Sequence, residues 1–227
     1  LPQGGKRTEK RMSAAETFNE LVRVLSDFFT KRDIVYYIFF IILYRFAEGF
    51  VMKVVPLFLK AGREVGGLGL SEEEIGLYYG TFGAAAFVLG SILAGYYISP
   101  FGLKRTLFSL CCVFNLPFVA YTLLSWYQPE NGIFIGEAII LEYFGYGFGF
   151  VGLTLFMMQQ IAPGKHQMAH YAFASGIMNL GVMLPGMISG SISDAIGYKW
   201  FFVFTLIATI PAFLITYFVP FTHSDKE

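Results

Sequence analysis

A small set of side chains in this 227-residue chain can do ionic or proton chemistry away from water, and their spacing picks them out. Arg45 and Glu48 stand three residues apart in an otherwise apolar stretch, so on a helix they share a face and can pair. Tyr37 and Tyr44 fall on the same side as Glu48, which marks this face as a candidate cavity wall. Glu142 lies in a second apolar stretch, beside Tyr143 and Tyr146. Ionisable groups in such surroundings are costly and face a cavity or a partner. A carboxylate removed from water is pushed toward its neutral form and can bind and release a proton. A guanidinium can pair with it or grip the carboxylate or phosphate of a solute. The plainer role for Arg45 and Glu48 is an ion pair that ties helices together. Asn179 can hydrogen-bond to a neighbouring helix or to a solute. Lys53 is placed to snorkel toward the surface, and Glu137 is placed to be solvated. His166, His170, Gln159 and Gln160 sit at the edge of apolar stretches and are read as wetted.

The elements that carry these residues follow from composition and hydropathy. The chain is 56% hydrophobic and 14% charged, against about 25% charged in a soluble domain, and its mean hydropathy is +0.59. Such a composition calls for lipid as solvent. Six apolar runs reach the roughly 20 residues a helix needs to span hydrocarbon: 35–58, 75–98, 106–126, 133–158, 169–192 and 201–219. Continuous runs of this length exclude a barrel, whose strands alternate over about 10 residues. The expectation is an all-α membrane protein with six transmembrane helices over 33–219. At about 1.5 Å per residue Arg45 then lies near mid-membrane, as does Glu142.

Residues 1–12 read as a flexible linker without a signal peptide's apolar core, and the start at Leu1 suggests that a longer protein precedes it. Over 13–32, Phe18, Leu21, Val22, Leu25, Phe28 and Phe29 line one face and Glu16, Glu20, Arg23 and Asp27 the other, predicting an amphipathic surface helix. Ser13 with Glu16, and Ser71 with Glu74, predict capping boxes. Cys111 and Cys112 are adjacent and read as packing residues. No cofactor or metal is implied. Net charge is zero, so nothing points to nucleic acid. With the N-terminus inside, the inner segments, including the tail 220–227, carry eleven Lys and Arg and the outer ones three. Both termini are therefore expected in the cytoplasm.

One pattern occurs twice. Gly95-x-x-x-Ser99-x-x-Gly102-x-Lys104, continued by Arg105, follows the second run. Gly190-x-x-x-Asp194-x-x-Gly197-x-Lys199 follows the fifth. Three spans separate the copies, so they fall on opposite membrane faces, as in a 3+3 inverted repeat. Small residues allow close helix approach, the hydroxyl or acid accepts hydrogen bonds from a helix end, and the base meets helix ends or phosphates. These residues are candidate gating elements, with a simple Gly-containing turn as the alternative. Glycines at 80, 83, 90, 145, 149, 152, 181 and 186 are read as packing positions.

The first copy, Gly95 to Arg105, resembles the loop motif of the major facilitator superfamily in its second-half copy, with Ser99 where that motif usually has Asp. Leu43-Tyr44-Arg45-Phe46-Ala47-Glu48, Phe58-Leu59-Lys60 and Leu70-Ser71-Glu72-Glu73-Glu74-Ile75-Gly76 resemble the AmpG-like branch, which includes muropeptide permeases and acetyl-CoA transporters. His170-Tyr171-Ala172 through Gly190, and Gly197 to Phe202, are similar to its eleventh helix and the turn that follows. The resemblance implies the C-terminal half of a twelve-helix transporter, with an N-terminal six-helix half as partner. It implies a bacterial inner-membrane location and alternating-access uptake of a polar solute, such as a saccharide or muropeptide, coupled to protons. Arg45, Glu48, Tyr44, Glu142, Tyr146 and Asn179 would form the substrate or proton pathway. The alternatives are a self-contained six-helix channel or dimeric transporter, and a membrane scaffold or signalling protein. No enzyme signature of the His-Glu-x-x-His or Gly-x-Ser-x-Gly type is present.

Overall fold

The computed structural model describes residues 13–223; the linker expected over 1–12 and the last four residues of the tail lie outside that range. The described residues form helices joined by turns and loops and contain no strand. The chain begins with α1 (Ala14–Phe29), α2 (Ile34–Tyr44) and α3 (Phe46–Lys60). A one-turn 3₁₀ helix then leads to α4 (Glu72–Gly76), a π-helical segment Leu77–Gly83 and α5 (Ala84–Phe101). Next come α6 (Leu103–Asn115), α7 (Pro117–Tyr127) and α8 (Gly132–Phe156), which ends in a second π-helical segment, Met157–Ile161. The last elements are α9 (Gln167–Ala208) and α10 (Ile210–Tyr217).

Among the described residues four helical stretches are long and apolar enough to cross a membrane: Glu72–Phe101, Leu103–Tyr127, Gly132–Ile161 and Gln167–Tyr217. The last, at 51 residues, would be over twice the thickness of a bilayer core at about 1.5 Å per residue. Gly197 interrupts it with φ 74° and ψ 161°. The apolar run 35–58 is divided at Arg45, which leaves helical geometry with φ −106° and ψ 9° and joins α2 to α3. Between α6 and α7, Pro117 follows directly on Leu116 and opens a new helix.

The helix ends follow local chemistry. Ser71 caps α4 in both directions: its Oγ accepts from the Glu74 N–H at 3.2 Å, and Glu74 Oε2 accepts from the Ser71 N–H at 2.9 Å. At α1 Ser13 and Glu16 form the expected capping box, in which the Glu16 carboxylate accepts from the Ser13 N–H at 2.8 Å.

Two helix pairs hold the body together, and both rely on reciprocal glycines. Where α3 and α2 meet α9, a β-carbon on Gly49 would lie 2.5 Å from the Val182 carbonyl, and one on Gly181 would lie 2.9 Å from Ile42 Cα. Where α5 meets α8, Gly90 stands against the Phe144 carbonyl (2.3 Å) and Gly147 against the Phe87 carbonyl (2.2 Å) in the same sense. Small residues let these backbones touch. Gly145, Gly149 and Gly152 do the same for α8 against α6, and Gly145 also meets Pro117 of α7. Gly83 meets the Tyr143 ring and Gly186 meets α3 at Gly49 and Lys53, whereas Gly80, Gly95 and Gly190 face open space within this chain rather than a neighbouring helix. Outside this core, α5 and α9 expose Val88, Leu89, Ile92, Met183, Leu184 and Met187, apolar surface on a scale that needs lipid or a partner to cover it.

α1 is not simply a surface helix. Its Val24 and Phe28 are buried, while Phe18, Leu21, Val22 and Phe29 remain exposed. His170 sits beneath it, buried, with Nε2 3.2 Å from the Val24 carbonyl, and His166 Nε2 lies 3.5 Å from Asp27. Lys31, just past the helix, donates to the carbonyls of Ile161 and Pro163; burial lowers its pKa and Asp27 partly opposes this. Gln160 is buried as well: its Oε1 accepts from the N–H groups of Thr222 (2.8 Å) and His223 (3.0 Å), and its Nε2 donates to the His223 carbonyl (3.0 Å). The expected wetting of His170 and Gln160 is therefore corrected, because α1 and the chain's last described residues cover them.

Gly102 (φ 77°, ψ 156°) and Gly197 (φ 74°, ψ 161°), the second glycines of the two motif copies, adopt the same backbone conformation. That region is open essentially to glycine alone. Gly102→Ala and Gly197→Ala are each expected to destabilise the fold by about 1–3 kcal/mol, read as a lower melting temperature in detergent. Gly176→Ala, on a helix with open space around it, should leave that temperature unchanged or raise it.

Candidate functional site

The break at Arg45 aims its side chain back along α3. Arg45 Nε donates to Glu48 Oε2 at 2.6 Å and its Nη2 to Glu48 Oε1 at 2.8 Å. This is a bidentate pair whose side chains are 5% and 10% exposed. The guanidinium also reaches the Tyr146 hydroxyl at 3.4 Å and lies 5.6 Å and 5.2 Å from the ring centroids of Tyr146 and Phe150. Arg45 is thus enclosed by Glu48 and two aromatic rings, and it does not border the cavity next to it.

That cavity lies between α3 and α8. Glu48 and Met52 of α3, Tyr79 of the first π-helical segment, and Glu142, Tyr143 and Tyr146 of α8 line it, with Phe114 and Phe118 alongside. A π-helical turn holds one more residue than an α turn, and here it swings Tyr79 inward, edge-on to Tyr143 at 5.2 Å. Glu142 accepts a hydrogen bond from the hydroxyl of Tyr121, a fully buried residue of α7. Among the described residues no cation pairs with Glu142, in contrast to Glu48. The cavity therefore holds two carboxylates in unlike settings, one matched by a guanidinium and one held only by a phenol.

Of the residues expected from the sequence, Glu48, Glu142 and Tyr146 come together here, with Arg45 directly behind. Tyr44 does not join them: it is fully buried and donates to the Gly149 carbonyl at 3.0 Å, fixing α2 to α8. Tyr37 meets Thr222 at 2.9 Å. Both tyrosines belong to α2, before the break, and neither lines the cavity. Asn179 is exposed on α9, outside the cavity. Lys53 is exposed, and Glu137 is exposed in a shallow apolar groove between α7 and α8. The motif residues Gly95, Ser99, Lys104 and Arg105, and Asp194, Gly197 and Lys199, are exposed at helix ends, with Gly102 and Gly190 partly covered. Lys199 Nζ lies 5.8 Å from the Trp126 ring. Tyr121 and Tyr79 escaped the sequence reading. The one signal for them was a polar phenol in an otherwise apolar run.

Replacing Glu48 with Gln leaves a buried guanidinium without its anion. Glu48→Gln and Arg45→Met are each expected to cost about 3–5 kcal/mol. The double variant should cost much less than the two combined, as read by a double-mutant cycle on thermal unfolding.

Comparison with known proteins places this geometry in a family. Residues 38–227 match the family model for the Major Facilitator Superfamily. The chain is 24% identical over 211 residues to a proposed transporter, AmpG 2, of Rickettsia prowazekii (strain Madrid E), covering 90% of this chain and 48% of that protein. It is 23% identical over 195 residues to the anhydromuropeptide permease of Escherichia coli (strain K12), covering 86% of this chain and 38% of that protein. The chain thus spans about half the length of these curated relatives, or less. With its long apolar helices and a family match over most of its length, the chain is an integral membrane protein that belongs to the Major Facilitator Superfamily, on its AmpG-like side.

Proposed function

We propose that this chain is the six-span half of a proton-coupled transporter that moves a polar organic solute, a saccharide or muropeptide, by alternating access. The observation that carries the reading is the cavity with two carboxylates of which only Glu48 is matched by a cation. A matched carboxylate has its charge met on the spot and holds the wall together. An unmatched one can take a proton from one side of the membrane and release it to the other.

Several features support the wider arrangement. α2 and α3 with α9, and α5 with α8, form two helix pairs closed by glycines in the same reciprocal way, as a 3+3 repeat with inverted topology requires. The matched conformations of Gly102 and Gly197 fit the same relation. The apolar faces of α5 and α9 are suited to lipid and to a second six-helix half. Tyr79, Tyr143 and Tyr146 offer the aromatic faces on which sugar rings stack, and the name of the Escherichia coli relative makes an anhydromuropeptide the first substrate to try. The excess of Lys and Arg in alternate segments favours both termini in the cytoplasm, and the AmpG-like similarity suits a bacterial inner membrane. Arg45 is spoken for by Glu48 and the rings, so its part is to fix the cavity wall rather than to meet a solute's anionic group.

The test is accumulation of an anhydromuropeptide by proteoliposomes carrying the whole protein under an imposed proton gradient. Glu142→Gln should lose gradient-driven accumulation by at least tenfold while retaining exchange of solute across a membrane without a gradient. Wild-type gradient-driven accumulation in Glu142→Gln would contradict the reading.

A further inference from the structure

Tyr121 connects the cavity to a distant part of the fold. Its hydroxyl donates to Glu142 from α7. Its ring stacks on Phe202, with centroids 5.9 Å apart and planes at 20°. The next residue, Thr122, donates to the Phe202 carbonyl at 3.3 Å. Phe202 lies five residues beyond Gly197, on the arm of α9 that follows the interruption. It also packs edge-on to Phe58 of α3 at 4.9 Å. One turn further along α7, Trp126 meets Trp200 of the same α9 arm edge-on at 5.8 Å.

We propose that Tyr121 is a positioning residue that transmits the protonation state of Glu142 to the α9 arm beyond Gly197. The inference rests on the proton-coupled reading above. An ionised Glu142 accepts a charge-assisted hydrogen bond from Tyr121, about twice as strong as one between neutral groups. When a proton from water binds the carboxylate, the charge goes and that hold on the phenol weakens. The ring and the Phe202 it stacks on are then free to shift together. Loss of the proton to the other side restores the bond. The arm can respond because Gly197 already breaks its helical ladder from the rest of α9. The groups that face Glu142 are Glu48 with Arg45 behind it, Tyr79, Tyr121, Tyr143 and Tyr146. Glu48 and Arg45 form a matched pair, and phenols keep their protons between about pH 5 and 8. Glu142 is therefore the carboxylate in this cluster that has no cation among the described residues.

Trp126 and Trp200 are the two tryptophans in the chain, and they report on this contact without any substrate. Tryptophan emission of the purified whole protein is followed from about pH 5 to 8, and the same titration of Trp200→Phe is subtracted to isolate the pair. The wild type should show a pH-dependent change. Tyr121→Phe keeps the ring and its stack but removes the donor, and it should lose the change while remaining folded by melting temperature. Glu142→Gln should lose it too. Phe202→Leu, which keeps the hydroxyl and removes the stacked ring, should lose it as a second, independent break in the chain of contacts. A wild-type response that survives in Tyr121→Phe, or a wild type with no response, overturns the proposal. Uptake by the same preparations separates the two claims. Full gradient-driven accumulation by Glu142→Gln refutes the coupling reading, whereas the fluorescence of Tyr121→Phe bears on the relay alone.

Discussion

The buried pair of Arg45 and Glu48 is the constraint around which the site is arranged. A guanidinium in the middle of an apolar run is tolerable only if its charge and donors are met on the spot. The helix gives way at Arg45, the side chain folds back onto Glu48 in a two-point contact, and Tyr146 and Phe150 close over the remaining face. The break separates α2, whose tyrosines bond to α8 and to the chain's end, from α3, whose Glu48 faces the cavity. Because Arg45 is consumed in this way, Glu142 across the cavity has no cation to neutralise it. The difference between the two carboxylates is a consequence of a single ion pair.

The scaffold around the cavity combines close backbone contacts with packed aromatic side chains. In lipid, helices gain little from burying apolar groups against one another, so contact between backbones and between small residues carries more of the association. Gly49 with Gly181 and Gly90 with Gly147 supply two such seams, one on each side of the cavity. Two breaks in the helical ladder, at Gly102 and Gly197, sit at the ends of these long elements and share one backbone conformation. Rigid seams near the cavity and glycine breaks at the rims suit a body that rocks as a unit while its ends move.

What could be read from the sequence was what depends on neighbours along the chain. Long apolar runs, the Ser71–Glu74 cap, the motif glycines and the three-residue spacing of Arg45 and Glu48 are local features, and local chemistry is enough to predict them. The division of the first run at Arg45 was not visible, because the break answers to rings from α8 more than a hundred residues away. Tyr44 shares Glu48's side on an ideal helix, yet its hydroxyl bonds to the Gly149 carbonyl of α8 and it does not line the cavity. His170 and Gln160 look like wetted edge residues until α1 and the residues near His223 fold over them. The partner of Glu142 lies on a different helix, and no spacing rule selects Tyr121 among the chain's fourteen tyrosines.

The central claim is that the two cavity carboxylates differ, with Glu48 paired to Arg45 and Glu142, proposed as the proton carrier, without a cation among the described residues. Infrared difference spectroscopy of the purified protein between acid and neutral pH tests it most directly, since a carboxyl group that gains a proton gains a C=O stretch. A protonated-carboxyl band is expected that disappears in Glu142→Gln and persists in Glu48→Gln. A band that persists in Glu142→Gln and disappears in Glu48→Gln would contradict it.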